Sequence, residues 1–501
     1  MNNSYILAID QGTSSTKTIV FDNKGNVLAK ATEPLKTHYL EGGWVEQEPE
    51  AIYQNVLASV RTCLATFKDQ GGNLSDIKSC GISNQRETFI VWDDQGKPLY
   101  NAVVWQCKRS INVCAKLKED GLEEMVRSKT GLIIDPYFSG SKLIWLNQNK
   151  PEITRAIASG KAFFGTVDTW LLYKLTNKEN YLTDYTNASR TLLFNLETLQ
   201  WDKELIDAFG LTGIQLPEPK PSAYEYGKSV FEGLFERPVA ITAMIGDSHA
   251  AAFGEGCFSP GTAKATLGTG CSVLMNIGAE LKPSTSGMIN TICWSTKDRV
   301  DYALEGVIVS CGSTVEWLKN ELGLFSDSRQ TEAMALSVAD NNGVYIIPAF
   351  SGLGAPYWEM DRKASIEGLT FDCNKNHIAR AALESIPYQI KDVLDAMQND
   401  AGVQISELMV NGGITSNKFV MEFLADLLNS NVINSGMPDV SALGAAYLAG
   451  LGSGQFSNLE DIQSLYSKKE AVETGGYSLN MDRYYEGWKK AVGMKIGVVA
   501  V

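Results

Sequence analysis

A polar loop near the start of the chain has the residue types of a phosphate-binding site. Asp10 ends the apolar run of residues 5–9, and the sequence Gly-Thr-Ser-Ser follows it at residues 12–15. Glycine lets a ligand approach the backbone closely, and free amides and hydroxyls can hold phosphate oxygens. A plain hairpin turn has the same composition. The loop is not a Walker A motif, because neither GxxxxGKS nor GxxxxGKT occurs in the chain.

Two further segments place charged side chains beside apolar runs. Asp247 follows an apolar run and precedes small residues, so it is either a helix cap or a catalytic carboxylate. His249 beside it is either structural or a base. Arg86 and Glu87 stand together before the apolar run 89–92, where a solvated ion pair is the default and a grip on a hydroxylated ligand is the alternative. Spacing alone does not decide between these interpretations.

The elements that must position these residues follow a repeated rhythm. Residues 5–29 alternate apolar runs with turn residues, which predicts an antiparallel meander of strands. A similar unit covers residues 262–276 and turns at the Gly-Thr-Gly of residues 268–270, which lacks the third glycine of a dinucleotide fingerprint. Two such units indicate a duplicated domain with the break near residue 255.

Helix and strand patterns alternate in the rest of the chain. The apolar spacing over residues 377–397 predicts a helix, which Pro387 should kink at a cost of roughly 3 kcal/mol if unrelieved. A strand is predicted at residues 408–410 and a helix from near Ser416. The aromatic-rich helical tail 482–493 is interpreted as core packing. This alternation predicts an α/β protein.

Composition and charge exclude several classes of protein. The 501 residues are 44% hydrophobic and 20% charged, which is ordinary for a globular protein and excludes a disordered or fibrous chain. The formal net charge of −14 argues against nucleic acid as the main partner. No apolar run approaches the roughly 18–20 residues that cross a bilayer, so no membrane insertion is expected.

The cysteines and histidines indicate the compartment and limit the metal chemistry. Nine cysteines without a CxxC pair are typical of reduced thiols, and they predict a cytoplasmic protein. Asp10 interrupts any signal-peptide core. Three histidines are too few for a histidine-rich metal site.

Several segments together resemble the glycerol kinases of the FGGY carbohydrate kinase family, from residue 4 to the tail. The matching stretches are residues 10–13 (DQGT), 81–88 (GISNQRET), 101–107 (NAVVWQC), 131–140 (GLIIDPYFSG), 164–170 (FGTVDTW), 183–190 (TDYTNASR), 352–358 (GLGAPYW) and 442–448 (ALGAAYL). The resemblance implies two ribonuclease-H-like ATPase domains of the actin/hexokinase type, which flank a catalytic cleft. It places the substrate and phosphate loop in residues 1–254 and the nucleotide site in residues 255–501.

The resemblance also implies an activity: transfer of the γ-phosphate of ATP, with Mg²⁺, to a primary hydroxyl of a small polyol or sugar. Asp247 would be the catalytic base and Asp10 would hold the metal. The implied substrate-binding residues are Arg86, Glu87, Trp105, Tyr137, Asp247, Ser248 and Ser272. The implied nucleotide-binding residues are Thr13, Ser14, Ser15, Lys17, Thr269, Gly312, Glu316, Gly413 and Asn417.

Four of these positions depart from the family pattern. Lys17 replaces arginine, which keeps the charge but loses the bidentate fork, and Glu316 replaces glutamine. Ser248 replaces glutamine and Ser272 replaces phenylalanine, so both changes enlarge the substrate pocket. The loss of an apolar wall from a substrate pocket weakens the discrimination between glycerol and larger compounds by about 1–3 kcal/mol.

Two substrate hypotheses follow from the enlarged pocket. Either the substrate is a longer polyol or ketose, of the erythritol, xylitol, xylulose or ribulose class, or neighbouring side chains fill the space and glycerol remains the substrate. The intact remainder of the pocket favours glycerol. A third hypothesis, a non-catalytic sugar or nucleotide sensor, predicts the loss of Asp10 or Asp247, and both are present.

The resemblance implies a homodimer or homotetramer as well. The glycine-rich loop that binds fructose bisphosphate in some relatives is not evident in residues 228–237, and no histidine stands there to be phosphorylated.

Overall fold

Strands and helices alternate along the chain. The computed structural model describes residues 4–437, 439–466, 471–477 and 480–493, so the extreme ends of the two predicted domain ranges lie outside the described residues. The strands are β1 (Tyr5–Gln11), β2 (Ser15–Phe21), β3 (Val27–Pro34), β4 (His38–Leu40), β5 (Trp44–Gln47), β6 (Ile77–Asn84), β7 (Phe89–Trp92), β8 (Ala102–Val103), β9 (Phe163–Thr166), β10 (Leu182–Asp184), β11 (Phe194–Asn195), β12 (Gln200–Trp201), β13 (Glu218–Lys220), β14 (Ala223–Ser229), β15 (Val239–Gly246), β16 (Thr262–Leu267), β17 (Cys271–Gly278), β18 (Ile289–Thr296), β19 (Arg299–Ile308), β20 (Tyr345–Ile347), β21 (Ser365–Glu367), β22 (Glu407–Asn411) and β23 (Asn431–Asn434). The α-helices are α1 (Pro49–Asp69), α2 (Ile111–Glu119), α3 (Glu123–Thr130), α4 (Ser139–Asn149), α5 (Pro151–Ala158), α6 (Val167–Leu175), α7 (Tyr185–Ala188), α8 (Lys203–Ala208), α9 (Asp247–Gly254), α10 (Gly312–Asn320), α11 (Gln330–Leu336), α12 (Lys375–Ala401), α13 (Lys418–Leu428), α14 (Val440–Gly452), α15 (Leu459–Gln463) and α16 (Met481–Ala491), with short 3₁₀ turns at Glu41–Gly43, Leu74–Asp76 and Gly413–Ser416.

Two six-stranded sheets have the same internal order. The first runs β14-β15-β6-β1-β2-β3, and the second runs β18-β19-β17-β16-β22-β23. In each, an antiparallel meander (β1-β2-β3, or β16-β17-β19) continues into two parallel strands (β6 and β15, or β22 and β23). The predicted meanders are therefore confirmed. The repeated topology gives a mixed α/β fold of two domains, as the sequence predicts.

A third sheet of the order β4-β5-β8-β7-β9 extends the first half of the chain. Its strand β7 is fully buried, and Phe89 and Trp92 of this strand pack against aromatic rings of β9 and α6. This sheet carries the segments that reach the cavity between the two main sheets.

The helix predicted at residues 377–397 is α12, and it continues through Pro387. Asn374 caps its start by accepting a hydrogen bond from the Asn376 amide, and Gly402 ends it with a left-handed φ of 64°. The helix expected near Ser416 begins at Lys418, capped by Asn417.

The helical tail packs its aromatic face into the second domain, as predicted. Trp488 on α16 is fully buried and stacks on Tyr388 of α12, with ring centroids 5.4 Å apart. Tyr484 is also buried, next to Phe423 of α13. Core packing is thus the function of this segment.

Helix α14 comes late in the chain but lies on the first sheet. A Cβ on Gly81 of β6 would meet the Ala445 carbonyl oxygen at 2.1 Å, and a Cβ on Gly444 would meet the Ala250 carbonyl oxygen at 1.8 Å. The glycines thus let α14 approach both β6 and α9 at backbone contact. Among the described residues, no helix is long and apolar enough to cross a membrane.

Candidate active site

Three parallel strands of the first sheet end at the same edge and bring the charged segments together. Gln11 of β1 pairs with Asn84 of β6, and Asn84 pairs with Gly246 of β15. Because the strands end in register, Asp10, Arg86 and Asp247 meet there despite their distance in the sequence. Binding sites of parallel sheets commonly form at this edge.

Asp10 is held at the strand edge by the neighbouring strand. Ser83 donates a hydrogen bond of 2.8 Å from its Oγ to Asp10 Oδ1. The pKa of Asp10 is raised to about 6, mainly by desolvation and also by the nearby Asp247 and Asp439 carboxylates, while Ser83 and Lys17 oppose the shift. A half-buried carboxylate near two others favours a bound cation.

A cavity of about 750 Å³ opens between the two main sheets at this edge. Its lining includes seven of the residues predicted for the site: Arg86, Trp105, Tyr137, Asp247, Ser248, Thr269 and Ser272. The first five come from the first domain and the last two from the second. The sequence-predicted substrate residues, except Glu87, therefore converge on one interdomain cavity.

Arg86 is a buried cation in the lining of this cavity. Its Nε lies 3.2 Å from Asp247 Oδ1, and its guanidinium lies 3.0 Å from Glu305 Oε1. Burial opposes its charge, but Glu305 and Glu87 raise the pKa of Arg86 well above its usual value. The default interpretation of Arg86 and Glu87 as a solvated pair is wrong, because both residues are buried and each pairs with a partner far away in the sequence.

Glu87 lies behind the cavity wall rather than in its lining. It accepts a hydrogen bond of 2.6 Å from Arg190 Nε, and Arg190 also lies 2.7 Å from Glu305. The buried chain Asp247–Arg86–Glu305–Arg190–Glu87 therefore crosses from one domain into the other and back. Burial disfavours the Glu305 carboxylate, but Arg190 and Arg86 hold its pKa well below the usual range.

Two aromatic rings form a second wall of the cavity. Trp105 and Tyr137 meet edge to face, with ring centroids 5.6 Å apart. Trp105 Nε1 donates to Thr13 Oγ1 at 3.0 Å, which ties this wall to the loop after β1. Such rings supply apolar area against the carbons of a small polyol.

Asp247 is the first residue of α9, and Gly246 is the N-cap residue of that helix. The helix-cap interpretation of Asp247 is thus wrong: its Oδ1 accepts from the Ser248 amide and Arg86, and its side chain is 39% exposed to the cavity. His249 is fully buried, and its Nε2 lies 3.3 Å from Thr291 Oγ1. This placement fits the structural interpretation of His249.

The two serines that replace larger family residues both reach the cavity. Ser272 donates from Oγ to Glu305 Oε1 at 3.3 Å, so it gives the wall a polar surface. Ser248 lies beside Asp247 at the start of α9. A smaller, mostly apolar cavity of about 180 Å³ adjoins the first, and Tyr137 lines both.

Thr269 and Gly312 adjoin each other at the edge of the second sheet. The amides of Cys311 and Ser313 donate to the Thr269 carbonyl, and the Gly312 amide donates to the Gly268 carbonyl at 2.9 Å. A Cβ on Gly312 would meet that carbonyl at 2.8 Å, so this approach requires glycine. The arrangement exposes a turn of backbone at the start of α10.

The other predicted nucleotide residues lie outside the cavity. Gly413 and Asn417 follow β22, and Asn417 caps α13 by accepting from the Val420 amide at 3.1 Å. Glu316 is exposed on α10 and hydrogen-bonds Ser328 at 2.5 Å. Gly413 and Asn417 occupy the same edge of the second sheet as Thr269, because β16 and β22 are parallel neighbours.

Lys17 does not reach the cavity lining. Its ammonium lies 2.9 Å from Asp439 at the start of α14, and Lys30 binds the same carboxylate at 2.5 Å. Ser14 is exposed and Ser15 is half-buried at the turn between β1 and β2. The predicted phosphate loop thus lies next to the start of a helix from the other half of the chain.

Sequence reasoning missed Glu305, Arg190 and Lys264. Glu305 and Lys264 stand inside the apolar strands β19 and β16, and both line the cavity. A charged residue within an otherwise buried strand is a signal that could have found them, because buried charges need a partner or a ligand.

Two ATPase-type domains with a charged cleft between them define a kinase of the actin/hexokinase type. The model of the FGGY family of carbohydrate kinases matches the chain over residues 5–254 for its N-terminal domain and 263–453 for its C-terminal domain. The chain belongs to this family. It is therefore an ATP-dependent carbohydrate kinase, and the hypothesis of a non-catalytic sensor is wrong.

Curated relatives and solved structures agree with this assignment. A glycerol kinase of Thermoanaerobacter sp. (strain X514) is 44% identical over 489 residues, 97% of this chain and 98% of the relative. One from Pseudomonas syringae pv. syringae (strain B728a) is 45% identical over 492 residues, 98% of this chain and 96% of the relative. The Plasmodium falciparum glycerol kinase with ADP superposes with a TM-score of 0.93 at 37% identity, covering 99% of each chain.

Proposed function

We propose that this kinase transfers the γ-phosphate of ATP to a primary hydroxyl of glycerol, which gives glycerol 3-phosphate. The observation that carries the proposal is the placement of Arg86 between Asp247 and Glu305 in the wall of the interdomain cavity. The glycerol kinases among the relatives support glycerol as the substrate.

The proposed roles follow from the chemistry of each side chain. Asp247 accepts the proton of the attacking hydroxyl, because its carboxylate faces the cavity and lies against the Arg86 guanidinium. Arg86 donates hydrogen bonds to substrate hydroxyls, and Trp105 and Tyr137 cover the carbon chain. Glu87 positions Arg190 and contributes a carboxylate behind the wall.

The proposed phosphate and metal sites lie on the two loops at the cleft. Thr13, Ser14, Ser15 and Thr269 offer amides and hydroxyls to phosphate oxygens, which phosphoryl transfer requires for positioning. Asp10 suits Mg²⁺, since this ion is held by one or two carboxylates together with substrate phosphates, and Asp10 is a half-buried carboxylate with others nearby. When bound there, the ion would neutralise phosphate charge.

A panel of substrates tests the proposal. We expect ADP release with glycerol at a kcat/KM at least tenfold above that with dihydroxyacetone, erythritol, xylitol, ribulose or xylulose. A longer compound that exceeds glycerol would replace glycerol as the substrate. If none of these compounds causes ADP release, small polyols and ketoses are excluded as substrates.

A longer polyol or ketose is the second candidate, because Ser272 puts a hydroxyl where the family has a phenyl ring and a further cavity adjoins at Tyr137. The double variant Ser272→Phe/Ser248→Gln distinguishes glycerol from a longer polyol or ketose as the native substrate. If glycerol is the native substrate, the double variant keeps its preference for glycerol; if a longer compound is, the preference moves toward glycerol.

Three broader expectations complete the proposal. The chain divides into an N-terminal domain of residues 1–254 and a C-terminal domain of residues 255–501. It forms a homodimer or homotetramer, which light scattering of the purified protein measures. It works in the cytoplasm, and the nine cysteines, all free thiols in the structure, support this.

A further inference from the structure

A polar strip of the second sheet forms one side of the cavity. Thr266 of β16 pairs in register with Ser272 of β17 and with Asn411 of β22, and all three line the cavity. Lys264 lies two residues before Thr266 on the same face of β16, because alternate residues of a strand share a face. It lines the same cavity.

Lys264 is a buried cation that has no ion-pair partner among the described residues. The residue is 1% exposed, and the one hydrogen bond that its ammonium makes to the described chain goes to Thr266 Oγ1 at 3.3 Å. Within the part of the chain that the structure describes, no carboxylate oxygen lies within 4 Å of this ammonium. Lysine is almost never fully buried unless it is paired.

The surroundings of Lys264 leave its charge available. Glu255 acts on it from a distance, and one Glu255 oxygen accepts a hydrogen bond of 2.8 Å from Asn411. Arg86 is the other cation among the residues that line this cavity, and Asp247 and Glu305 already engage it. Of the two cations in the lining, Lys264 is thus the one whose charge an anionic ligand would neutralise.

The hydrogen bond to Thr266 also sets the direction of the side chain. Thr266 lies toward the Gly268–Gly270 turn, so the ammonium reaches along β16 toward that turn and Thr269. Burial lowers the pKa of Lys264, because a desolvated ammonium loses its water. An approaching phosphate dianion would restore the stability of the charged form.

We propose that Lys264 binds the phosphoryl group that ATP transfers in this cavity. The inference rests on the proposed function and adds a phosphate ligand from the second domain to it. In the reaction, the substrate oxygen bonds to the γ-phosphorus, the bond to the bridging oxygen of ADP breaks, and the proton goes to Asp247. Lys264 forms no covalent bond and neutralises the charge that spreads over the transferring oxygens.

The variant Lys264→Met tests the inference, because methionine keeps the length of the side chain and removes the charge. We expect kcat to fall at least 100-fold. The affinity for the non-hydrolysable β,γ-imido analogue of ATP should fall at least tenfold, while the affinity for ADP changes less than threefold. The Tm should stay equal or rise, because an unpaired buried charge is removed. Lys116→Met on the exposed face of α2 is the control and should match the wild type.

Two results would overturn the inference. One is a Lys264→Met enzyme with kcat and analogue affinity within threefold of the wild type, and the other is an equal loss of affinity for ADP and for the analogue. If Lys264→Met does not fold, Lys264→Gln is measured in its place, and a failure of both to fold assigns the lysine a structural role. The wild-type substrate panel is independent of these binding measurements, so an error in the proposed substrate is distinguishable from an error here.

Discussion

At the scale of single residues, the site depends on charges that compensate one another inside the protein. Asp247 is the exposed end of a chain of five charged side chains, and the interior members are fully or nearly fully buried. Because Arg86 binds both Asp247 and Glu305, the carboxylate that we propose as the catalytic base keeps a fixed position. A group that accepts a proton in the reaction gains from this, since its geometry is set before the substrate arrives.

Replacing Asp247 with Asn should nearly abolish product formation. The amide has the same shape but is a far weaker proton acceptor, and general-base catalysis contributes about 10²–10⁴-fold. We expect kcat to fall within that range while ADP affinity, measured by calorimetry, changes less than threefold. Asp94→Asn, on the surface of the first domain, is the control. A variant with full activity would contradict the assigned role of Asp247.

At the scale of elements, α9 holds Asp247 in place because α14 packs directly on it. Gly444 and Gly254 bring the two helix backbones together, and the Gly254 Cβ position would lie 2.4 Å from the Val440 carbonyl oxygen. The position of Asp247, the proposed catalytic base, therefore depends on a helix that begins nearly 200 residues later in the chain.

Gly444→Ala should push α9 and α14 apart. Alanine favours a helix more than glycine does, so any loss of stability must come from the clash with the Ala250 carbonyl oxygen at 1.8 Å. We expect a destabilisation of about 1–3 kcal/mol, from a thermal melt, and a kcat lowered at least tenfold. Gly71→Ala is the control, since it carries left-handed strain at φ 85° in open space and should keep full activity. Equal activities of the two variants would refute the coupling.

The packing of α12 on α16 has a pH dependence. Asp392 accepts hydrogen bonds from Tyr357, Tyr485 and Trp488, and burial raises its pKa to about 6 despite these bonds. A carboxyl whose pKa is raised in the folded state stabilises the protein only where it is protonated. This stabilisation is present below pH 4 and is lost as the pH rises through 6.

The stability of the Asp392→Asn variant should therefore rise relative to that of the wild type as the pH rises. The amide stays neutral, and its oxygen and nitrogen can still pair with the three donors if the Tyr485 hydroxyl turns to accept. Between pH 5 and 7.5 the difference in unfolding free energy should move by about 1 kcal/mol in favour of the variant. Urea unfolding at both pH values measures it. A difference that does not change with pH would show that Asp392 titrates normally.

At the scale of the whole molecule, the two domains share a charged core as well as a cavity. Glu305 of the second sheet is fully buried and binds Arg86 and Arg190 of the first domain at 3.0 and 2.7 Å. Asp439 at the start of α14 joins Lys17 and Lys30 in a second, more exposed connection. Ion pairs between distant parts of the chain thus connect the two domains beside the cavity.

Glu305→Gln should destabilise the protein strongly. It removes the charge that compensates two buried arginines, and breaking a buried pair costs about 3–5 kcal/mol. Chemical unfolding, followed by fluorescence of the buried tryptophans, measures the loss. Asp120→Asn breaks the exposed pair with Lys116 on α2 and should leave the unfolding curve unchanged. If both variants unfold at the same denaturant concentration, the interdomain ion pairs stabilise the protein no more than the exposed pair on α2 does.

Local patterns predicted the elements well, because they depend on neighbours in the sequence. The meanders, α12, β22 and the aromatic tail lie where apolar periodicity and turn residues place them. Pro387 lies inside α12, and the helix stays continuous across it in a stretch of buried residues. The helix interior there is buried by the second domain, so tertiary contacts outweigh the local cost.

The sequence by itself determined the class of this kinase, since the motifs at residues 10–13, 81–88 and 183–190 can be recognised from their residue types alone. The tertiary structure alone decided that Arg86 and Glu87 are buried, that Glu305 bridges two arginines, and that Lys264 has no carboxylate within ion-pair distance in the described chain. The physical reason is that the pairing and desolvation of a charge depend on groups that the fold brings together, and Arg86 and Glu305 are 219 residues apart in the chain.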